Sequence, residues 1–263
     1  MSSIGRAIQI REIIASEPEG VRVTDLATTL RLNRAIPHRL LAELMELGYV
    51  AQDPTTERYR ATFKLGSLGL DQLETSGVQR WARDELAALA AETQELVRLA
   101  VASGSELRFV AKAQGGDSAL MIDSTGSNVV LHATASGKAW LSTLPEEEVR
   151  RLLTERGLAA ETTHTETDLS RILDEVAQAR ELGYAVTHEE MEVGINAIAA
   201  PLVPPELGGG CGVATISIAG PSARLTQQML QNFAPAVKAT ARTLSEQWHV
   251  YEYLTALARR NRG

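Results

Sequence analysis

The residues whose types and spacing best suit binding chemistry lie between His132 and Ala139, where small side chains lead into a predicted helix. The first N–H groups of a helix have no acceptor within the helix, so this end favours a carboxylate or a phosphate. Ser136 and Gly137 would start this helix, which indicates an anion site. A serine that only caps the helix is the alternative, and for this segment taken alone it is the simpler interpretation.

A second group of residues suits a nucleic acid. These side chains carry a guanidinium or an imidazole and fall in two short segments: Arg34, His38 and Arg39 in a predicted helix, and Arg58 and Arg60 in a predicted strand. Arginine binds guanine and phosphate through two parallel hydrogen bonds. Arg58 and Arg60 share one strand face, and Tyr59 faces the opposite side. Each arginine alone could be an ordinary surface residue, but their common placement favours DNA binding.

Catalytic and metal-binding chemistry is not indicated. The segment His188–Glu190 could supply a dyad, but neighbouring strand residues point to opposite faces, so we expect a solvated turn. His164 and His249 have no partners at the spacing of metal ligands. Cys211 is the only cysteine, which excludes an internal disulfide and a cysteine zinc cluster, and we interpret it as a small buried side chain. We therefore expect no enzyme activity, no cofactor and no metal.

The elements that must position the basic residues are three short helices and a hairpin. Apolar spacing predicts helices over residues 4–15, from the N-cap Thr24 to residue 30, and from the N-cap Asn33 to residue 47. Strands at residues 49–51 and 58–61 would pair around a turn. Three helices followed by a hairpin is the order of a winged helix-turn-helix, in which the second helix of the motif enters the major groove.

The rest of the chain alternates strands and helices. Residues 67–93 are predicted as a helical linker with a break near residue 76, and residues 94–263 as a sheet domain flanked by helices. The predicted strands of that domain cover residues 95–102, 106–112, 119–122, 184–187, 194–203 and 212–219. The predicted helices cover residues 136–141, the segment after Pro145, residues 168–181 and residues 226–258, the last with a point of interruption at Pro235. The predicted fold class is therefore a two-domain α+β or α/β protein, with residues 1–66 forming the first domain.

Composition and charge narrow the function classes. Of the 263 residues 44% are apolar, which is enough for a core in each of two domains and excludes intrinsic disorder as the main state. No apolar run approaches the length of a membrane helix, and the first ten residues lack the form of a signal peptide, so we expect a cytoplasmic protein with no membrane partner. The net charge of −7 conceals a division. Residues 1–66 hold nine basic and eight acidic side chains (+1), whereas the other 197 residues hold 17 basic and 25 acidic ones (−8), so the N-terminal part remains compatible with DNA.

The sequence resembles the IclR-type family of transcriptional regulators. The resemblance is carried in chain order by His38–Leu41, Gly48–Val50, Leu131–Ala139, Gly183–Val186, Glu189–Glu190, Gly194–Ile195, Ala197–Pro201 and Ile216–Pro221 with Arg224. It implies an N-terminal winged helix-turn-helix that binds a palindromic operator in double-stranded DNA. It also implies a C-terminal GAF-like domain that binds a small organic or aromatic acid. Such proteins are homodimers or dimers of dimers, which matches the two half-sites of an operator.

The resemblance further implies an effector pocket. Carried over residue by residue, that pocket would use Ser136, Gly137, Thr187, Ile195, Ala197, Ser217 and Ala219, with Met121 and Val129 as a less closely matched apolar wall. Thr187 replaces an acidic side chain of some members, and Ala197 and Ala219 replace polar ones. We therefore expect a less polar cavity and an aromatic or mid-sized apolar acid, with its carboxylate near Ser136 and Gly137.

The predicted recognition helix departs from the family pattern. Ala35, Ile36 and Pro37 stand where members usually have serine, threonine and a β-branched residue, so DNA binding would depend more on the basic residues of this helix. Two alternatives stay open. One is an enzyme that acts on a small acid through the Glu189–Glu190 pair or Cys211 and carries an N-terminal binding appendage. The other is a sensory GAF-type module whose N-terminal domain binds a protein.

Overall fold

A computed structural model describes residues 2–116, 126–207 and 211–248 of the chain. The chain divides between Thr75 and Ser76 into two compact units. The predictions made for Met121, for a strand at residues 119–122, for His249 and for helical residues beyond 248 fall outside the described residues. Among the helices that are described, none is both long enough and apolar enough to cross a membrane.

The N-terminal unit has the predicted order of three helices and a hairpin. Its elements are α1 (Ser3–Ser16), α2 (Val23–Thr29), α3 (Ala35–Glu46), β1 (Val50–Gln52) and β2 (Tyr59–Ala61), followed by α4 (Lys64–Ser76). One apolar core joins the three helices to the hairpin, with Ile10, Leu26, Leu41 and Tyr59 among its buried members. Because the hairpin contributes Tyr59 to this core, the wing is held against the helices that it follows.

The starts of α2 and α3 differ from the predictions in detail. Thr24 is not the N-cap of α2, because the helix begins at Val23 and the carboxylate of Asp25 accepts a hydrogen bond from the Arg22 backbone N–H (3.4 Å). Arg34, not Asn33, is the N-cap of α3, although Oδ1 of Asn33 accepts a hydrogen bond from the Ala35 N–H at 3.0 Å. The recognition helix therefore starts where the sequence placed it, to within one residue.

The described residues of the C-terminal unit form a five-stranded sheet with helices on both faces. Its elements are α5 (Val78–Thr93), β3 (Leu96–Ser103), β4 (Glu106–Gln114), α6 (Ala135–Leu141), α7 (Glu146–Arg156), α8 (Leu169–Leu182), β5 (Ala185–His188), β6 (Ile195–Leu202), β7 (Ala214–Pro221) and α9 (Gln227–Glu246). The strand order is β4-β3-β7-β6-β5, and each neighbouring pair is antiparallel. The helix α9 continues through Pro235 without the predicted interruption.

Strand alternation gives this sheet two different faces. One face carries Ala185 and Ala199, which pack with small residues of α6 and α8. The other face carries Ile216 and Ile218, both fully buried, where α5 and α9 pack. The small residues on the first face leave room between the sheet and α6, and the candidate site lies there.

Candidate functional site

A cavity of about 210 Å³ lies in the C-terminal unit between the sheet and the start of α6. Seven of the nine residues predicted for effector binding line it: Val129, Ser136, Thr187, Ile195, Ala197, Ser217 and Ala219. Met121 lies outside the described residues, and Gly137 is in α6 but is not part of the lining. The fold thus brings residues that are far apart in the sequence to one concave surface.

The floor of the cavity follows from strand register. Ser217 and Ala219 are two residues apart on β7, so both face the same side of the sheet, and the same holds for Ile195 and Ala197 on β6. Ala197 lies opposite Ala219 on one neighbouring strand and opposite Thr187 on the other. The part of the floor formed by β5, β6 and β7 is therefore mostly apolar, with the hydroxyls of Thr187 and Ser217 as its polar groups.

The start of α6 is built differently from the prediction. Thr134, not Ser136, is the N-cap: its hydroxyl accepts a hydrogen bond from the Gly137 N–H at 3.0 Å. A side chain at Gly137 would overlap the backbone of Leu131, so glycine is needed there for packing. Ser136 is left as a buried lining residue whose hydroxyl is not used as the cap.

Arg98 on β3 lines the cavity and was missed in the sequence. Its guanidinium carbon lies over the Phe109 ring, 4.1 Å from the ring centroid, which is a cation–π contact. Burial lowers the pKa of Arg98 to about 10, while the nearby Glu192 opposes the shift, so the side chain stays charged at neutral pH. The sequence signal that could have found it is a charged residue in a predicted strand whose neighbours on the same face, Leu96 and Ala100, are both apolar.

Behind α6 lies a buried ion cluster that overturns the prediction of a solvated turn at residues 188–190. Lys138 is 2% exposed. Its ammonium is 2.7 Å from both carboxylate oxygens of Glu190 and 2.7 Å from Oε2 of Glu175. Burial raises the pKa of Glu190 even though Lys138 acts to lower it. Glu189 has a separate role, because its carboxylate accepts from the Gly194 N–H at 2.7 Å and so closes the loop before β6.

The basic residues of α3 lie on its solvent side. Arg34, His38 and Arg39 are exposed, whereas Pro37 and Leu40 are buried. Pro37 is the third residue of the helix, where its missing N–H removes no intrahelical hydrogen bond. The proline is thus compatible with the helix, and the exposed face keeps the pattern of a helix that can enter a groove.

The two arginines of the hairpin are not equivalent. Nη1 of Arg58 donates to the Gly20 carbonyl at 2.7 Å, and this side chain is half-buried. Arg60 is exposed and lies 3.7 Å from Glu19. Tyr59, which lies between them in the sequence, is buried in the core of the N-terminal unit and pairs with Val21 in a β-bridge. Arg58 therefore contributes to the fold of the wing, whereas Arg60 is the more accessible of the two.

The remaining candidates take structural positions. Nε2 of His132 lies 2.9 Å from the Ala159 carbonyl, and Cys211 is partly buried against the core that includes Trp140. His164 is exposed in the loop before α8. Within the described ranges, no three His, Cys, Asp or Glu side chains are grouped so that they could hold a metal ion.

Comparison with known proteins matches both units. The model described as "Bacterial transcriptional regulator IclR C-terminal" matches residues 71–246, and the IclR helix-turn-helix domain matches residues 3–54. The transcriptional repressor AllR of Escherichia coli K12 is 31% identical over 243 residues, covering 92% of this chain and 89% of AllR. The crystal structure of Thermotoga maritima IclR is 28% identical with a TM-score of 0.64, covering 93% of this chain and 98% of that one. The inducer-binding domain of Acinetobacter PobR, solved as a double mutant in complex with 3-hydroxybenzoic acid, is 26% identical with a TM-score of 0.59, covering 64% of this chain and 98% of that one.

Proposed function

This chain belongs to the IclR family of bacterial transcriptional regulators, and from that premise we propose that a homodimer or a dimer of dimers binds a palindromic operator under the control of a small organic acid. It is a DNA-binding regulator and not an enzyme, with the helix-turn-helix at residues 3–54 and the effector domain in the C-terminal unit. We place its action in the cytoplasm, where bacterial DNA is. We retain residues 1–66, 67–93 and 94–263 as the working boundaries of DNA-binding domain, linker and effector domain.

The cavity is the observation that carries effector control. It unites seven residues of the predicted pocket, and at about 210 Å³ it is smaller than the roughly 300–1,000 Å³ of sites for drug-sized ligands. Val129, Ile195 and Ala197 supply apolar lining, and Arg98 supplies a positive charge. This combination supports a small aromatic or mid-sized apolar acid. The PobR domain, a relative with 3-hydroxybenzoic acid bound, supports the same class.

DNA binding is assigned to α3 and to the hairpin. We place the exposed side chains of Arg34, His38 and Arg39 at the major groove, where arginine can bind guanine or phosphate. Arg60, and to a lesser degree Arg58, would contact phosphates from the wing. The negative charge of the C-terminal part repels DNA, which leaves the contact to these few residues.

Self-association is supported by apolar side chains that the N-terminal unit leaves exposed. Phe63 is 74% exposed, Leu68 is 46% exposed, and none of the residues of α4, all of which the structure describes, is buried. On α1, Ile4 and Ile8 are one turn apart and are 74% and 55% exposed. Exposed apolar surface of this kind marks an interface, and a two-fold dimer would place two recognition helices on two half-sites.

Gel-shift titration of the full chain against the DNA that flanks its own gene tests this function. We expect a site bound at least about a thousandfold more tightly than bulk DNA, and a shift in that affinity when an acid of the proposed class is added. The variant Ala197→Leu, which fills part of the cavity, should keep DNA binding and lose the response to the acid. Affinity for flanking DNA no higher than for bulk DNA would contradict the proposal.

A further inference from the structure

We propose that Arg98 is the residue that selects an acid and orients it, with the effector carboxylate against the guanidinium on the sheet and the apolar part toward Val129 and Ile195. This inference rests on the proposed effector cavity. It assigns the role to a residue outside the pocket carried over from the family. It also moves the expected carboxylate from the start of α6, at Ser136 and Gly137, to the floor of the cavity.

The position of Arg98 in the sheet is the first support. Arg98 on β3 lies directly opposite Ser217 on β7. Side chains of such a cross-strand pair are neighbours on one face, with Cβ atoms about 4.5–5.5 Å apart. Ser217 is 1% exposed, and its hydroxyl has no hydrogen-bond partner among the described residues. A ligand oxygen beside Arg98 would therefore meet a second, buried polar group.

The stacking on Phe109 is the second support. The guanidinium carbon lies 4.1 Å from the ring centroid, and a guanidinium that stacks on a ring at this distance presents N–H donors along its edge. A carboxylate accepts two parallel hydrogen bonds from such an edge. Phe109 thus restricts the positions of the guanidinium, which would in turn restrict the orientation of the bound acid.

The charge distribution of the cavity is the third support. Glu192 also lines the cavity, is exposed, and is close enough to raise the pKa of Arg98. A bound carboxylate would be attracted by Arg98 and repelled by Glu192. Among the described lining residues, a second carboxylate on the ligand would find Glu192 and no cation besides Arg98, so we assign the cavity to monocarboxylic acids.

The start of α6 offers a weaker anion site. The Gly137 N–H already donates to the Thr134 hydroxyl, and α6 has only seven residues. Its partial charge is smaller than the full charge of Arg98. Ser136 remains a lining residue that can contact the other end of the ligand.

Calorimetric titration of the full chain tests the inference, with benzoate, 3-hydroxybenzoate and hexanoate each compared with its neutral amide. Wild type should bind at least one acid about tenfold or more tightly than its amide, the size expected for charged hydrogen bonds. Arg98→Met, which keeps the length of the side chain, should lower acid affinity to the level of the amide and leave amide binding unchanged. Glu192→Gln should strengthen acid binding several-fold. Arg171→Met, which removes an exposed arginine of α8 outside the cavity, is the matched control and should change neither.

The outcomes separate this inference from the proposed function. Acid binding by Arg98→Met with its preference over the amide intact would overturn the role of Arg98, while loss of binding in Ala197→Leu would still support the cavity. If none of the three acids binds to wild type, the acid class fails together with the role of Arg98. Should Arg98→Met not fold, as judged by circular dichroism, Glu192→Gln decides, because unchanged or weakened acid binding in that variant contradicts the charge arrangement.

Discussion

Lys138 and Glu190 are 52 residues apart in the sequence, yet the ammonium of Lys138 is 2.7 Å from both carboxylate oxygens of Glu190. The ion pair joins α6, whose first turn lines the cavity, to the segment after β5, whose Met191 and Glu192 line the cavity from another side. The buried pair thus holds two walls of the cavity together without being part of its lining.

Lys138→Met should destabilise the protein strongly at alkaline pH and less at acid pH. Removing one partner of a buried ion pair costs about 3–5 kcal/mol because the other charge stays buried. Burial raises the pKa of Glu190, and loss of Lys138 would raise it further. A carboxyl with a raised pKa contributes stability below its ordinary value, and this contribution is lost as the pH rises through its folded-state pKa. Urea unfolding at pH 5 and pH 8 measures the difference.

The double variant Lys138→Met with Glu190→Gln is the control for that experiment. It removes the uncompensated charge, so its free energy of unfolding should lose the extra pH dependence of the single variant. If the free energy of unfolding of Lys138→Met were the same at pH 8 as at pH 5, the loss of Lys138 would not leave an uncompensated buried charge on Glu190.

Gly137→Ala and Ser136→Ala should affect different properties. The alanine side chain at 137 would overlap the Leu131 backbone, so we expect a loss of about 1–3 kcal/mol in the free energy of unfolding. Ser136→Ala leaves the cap at Thr134 intact and should cost less than about 1 kcal/mol while changing effector affinity. Thermal unfolding and ligand titration of both variants check this. Equal destabilisation by the two changes would mean that the Ser136 hydroxyl is structural.

Arg39→Ala and Arg58→Ala should likewise separate binding from folding. Arg39 is exposed, and its loss should leave stability unchanged, weaken DNA binding and lower the salt slope by about one unit for one lost phosphate contact. Arg58→Ala removes the hydrogen bond to the Gly20 carbonyl and should cost about 1 kcal/mol of stability as well. Gel shifts at several salt concentrations, with chemical unfolding in parallel, measure both effects. An Arg39→Ala variant with an unchanged salt slope would place that residue away from the backbone of the DNA.

Phe63→Glu combined with Leu68→Glu should break self-association. Both side chains are exposed in the N-terminal unit, and charges at a shared apolar interface would repel each other. Sedimentation velocity should show a shift to smaller species. Operator affinity should fall because two DNA-binding domains no longer bind the operator together. Leu182→Glu, at an exposed leucine of the C-terminal unit, is the control and should leave both unchanged. Assembly and operator affinity equal to wild type in the double variant would contradict this interface.

The elements could be predicted because their signals are local. Asp168 and Gly183 bound α8 as N-cap and C-cap, and Gly183 has the left-handed backbone (φ +76°) that ends helices. The three helices and hairpin of the N-terminal unit and the strands on either side of residue 104 follow from apolar spacing in the same way. Thr24 was misplaced as an N-cap because several polar residues in that turn compete for the role.

The tertiary contacts of charged residues could not be predicted in this way. Glu190 was expected in a solvated turn, since its partner Lys138 is 52 positions away and a single sequence does not show such a pair. Arg98 was missed because an arginine in a strand is usually at the surface. The lining residues at 187, 197, 217 and 219 came from the family resemblance, and strand alternation explains why they share a face. The roles of these residues in binding stay predictions.

On β7, Ser217 and Ala219 line the cavity, whereas Ile216 and Ile218 are fully buried on the opposite face of the sheet. On this strand the residues that face the ligand and the residues that stabilise the core therefore occupy alternate positions. Directed evolution at 217 and 219, with the intervening isoleucines held fixed, could retune the protein as a biosensor for other acids while the DNA-reading unit stays as it is.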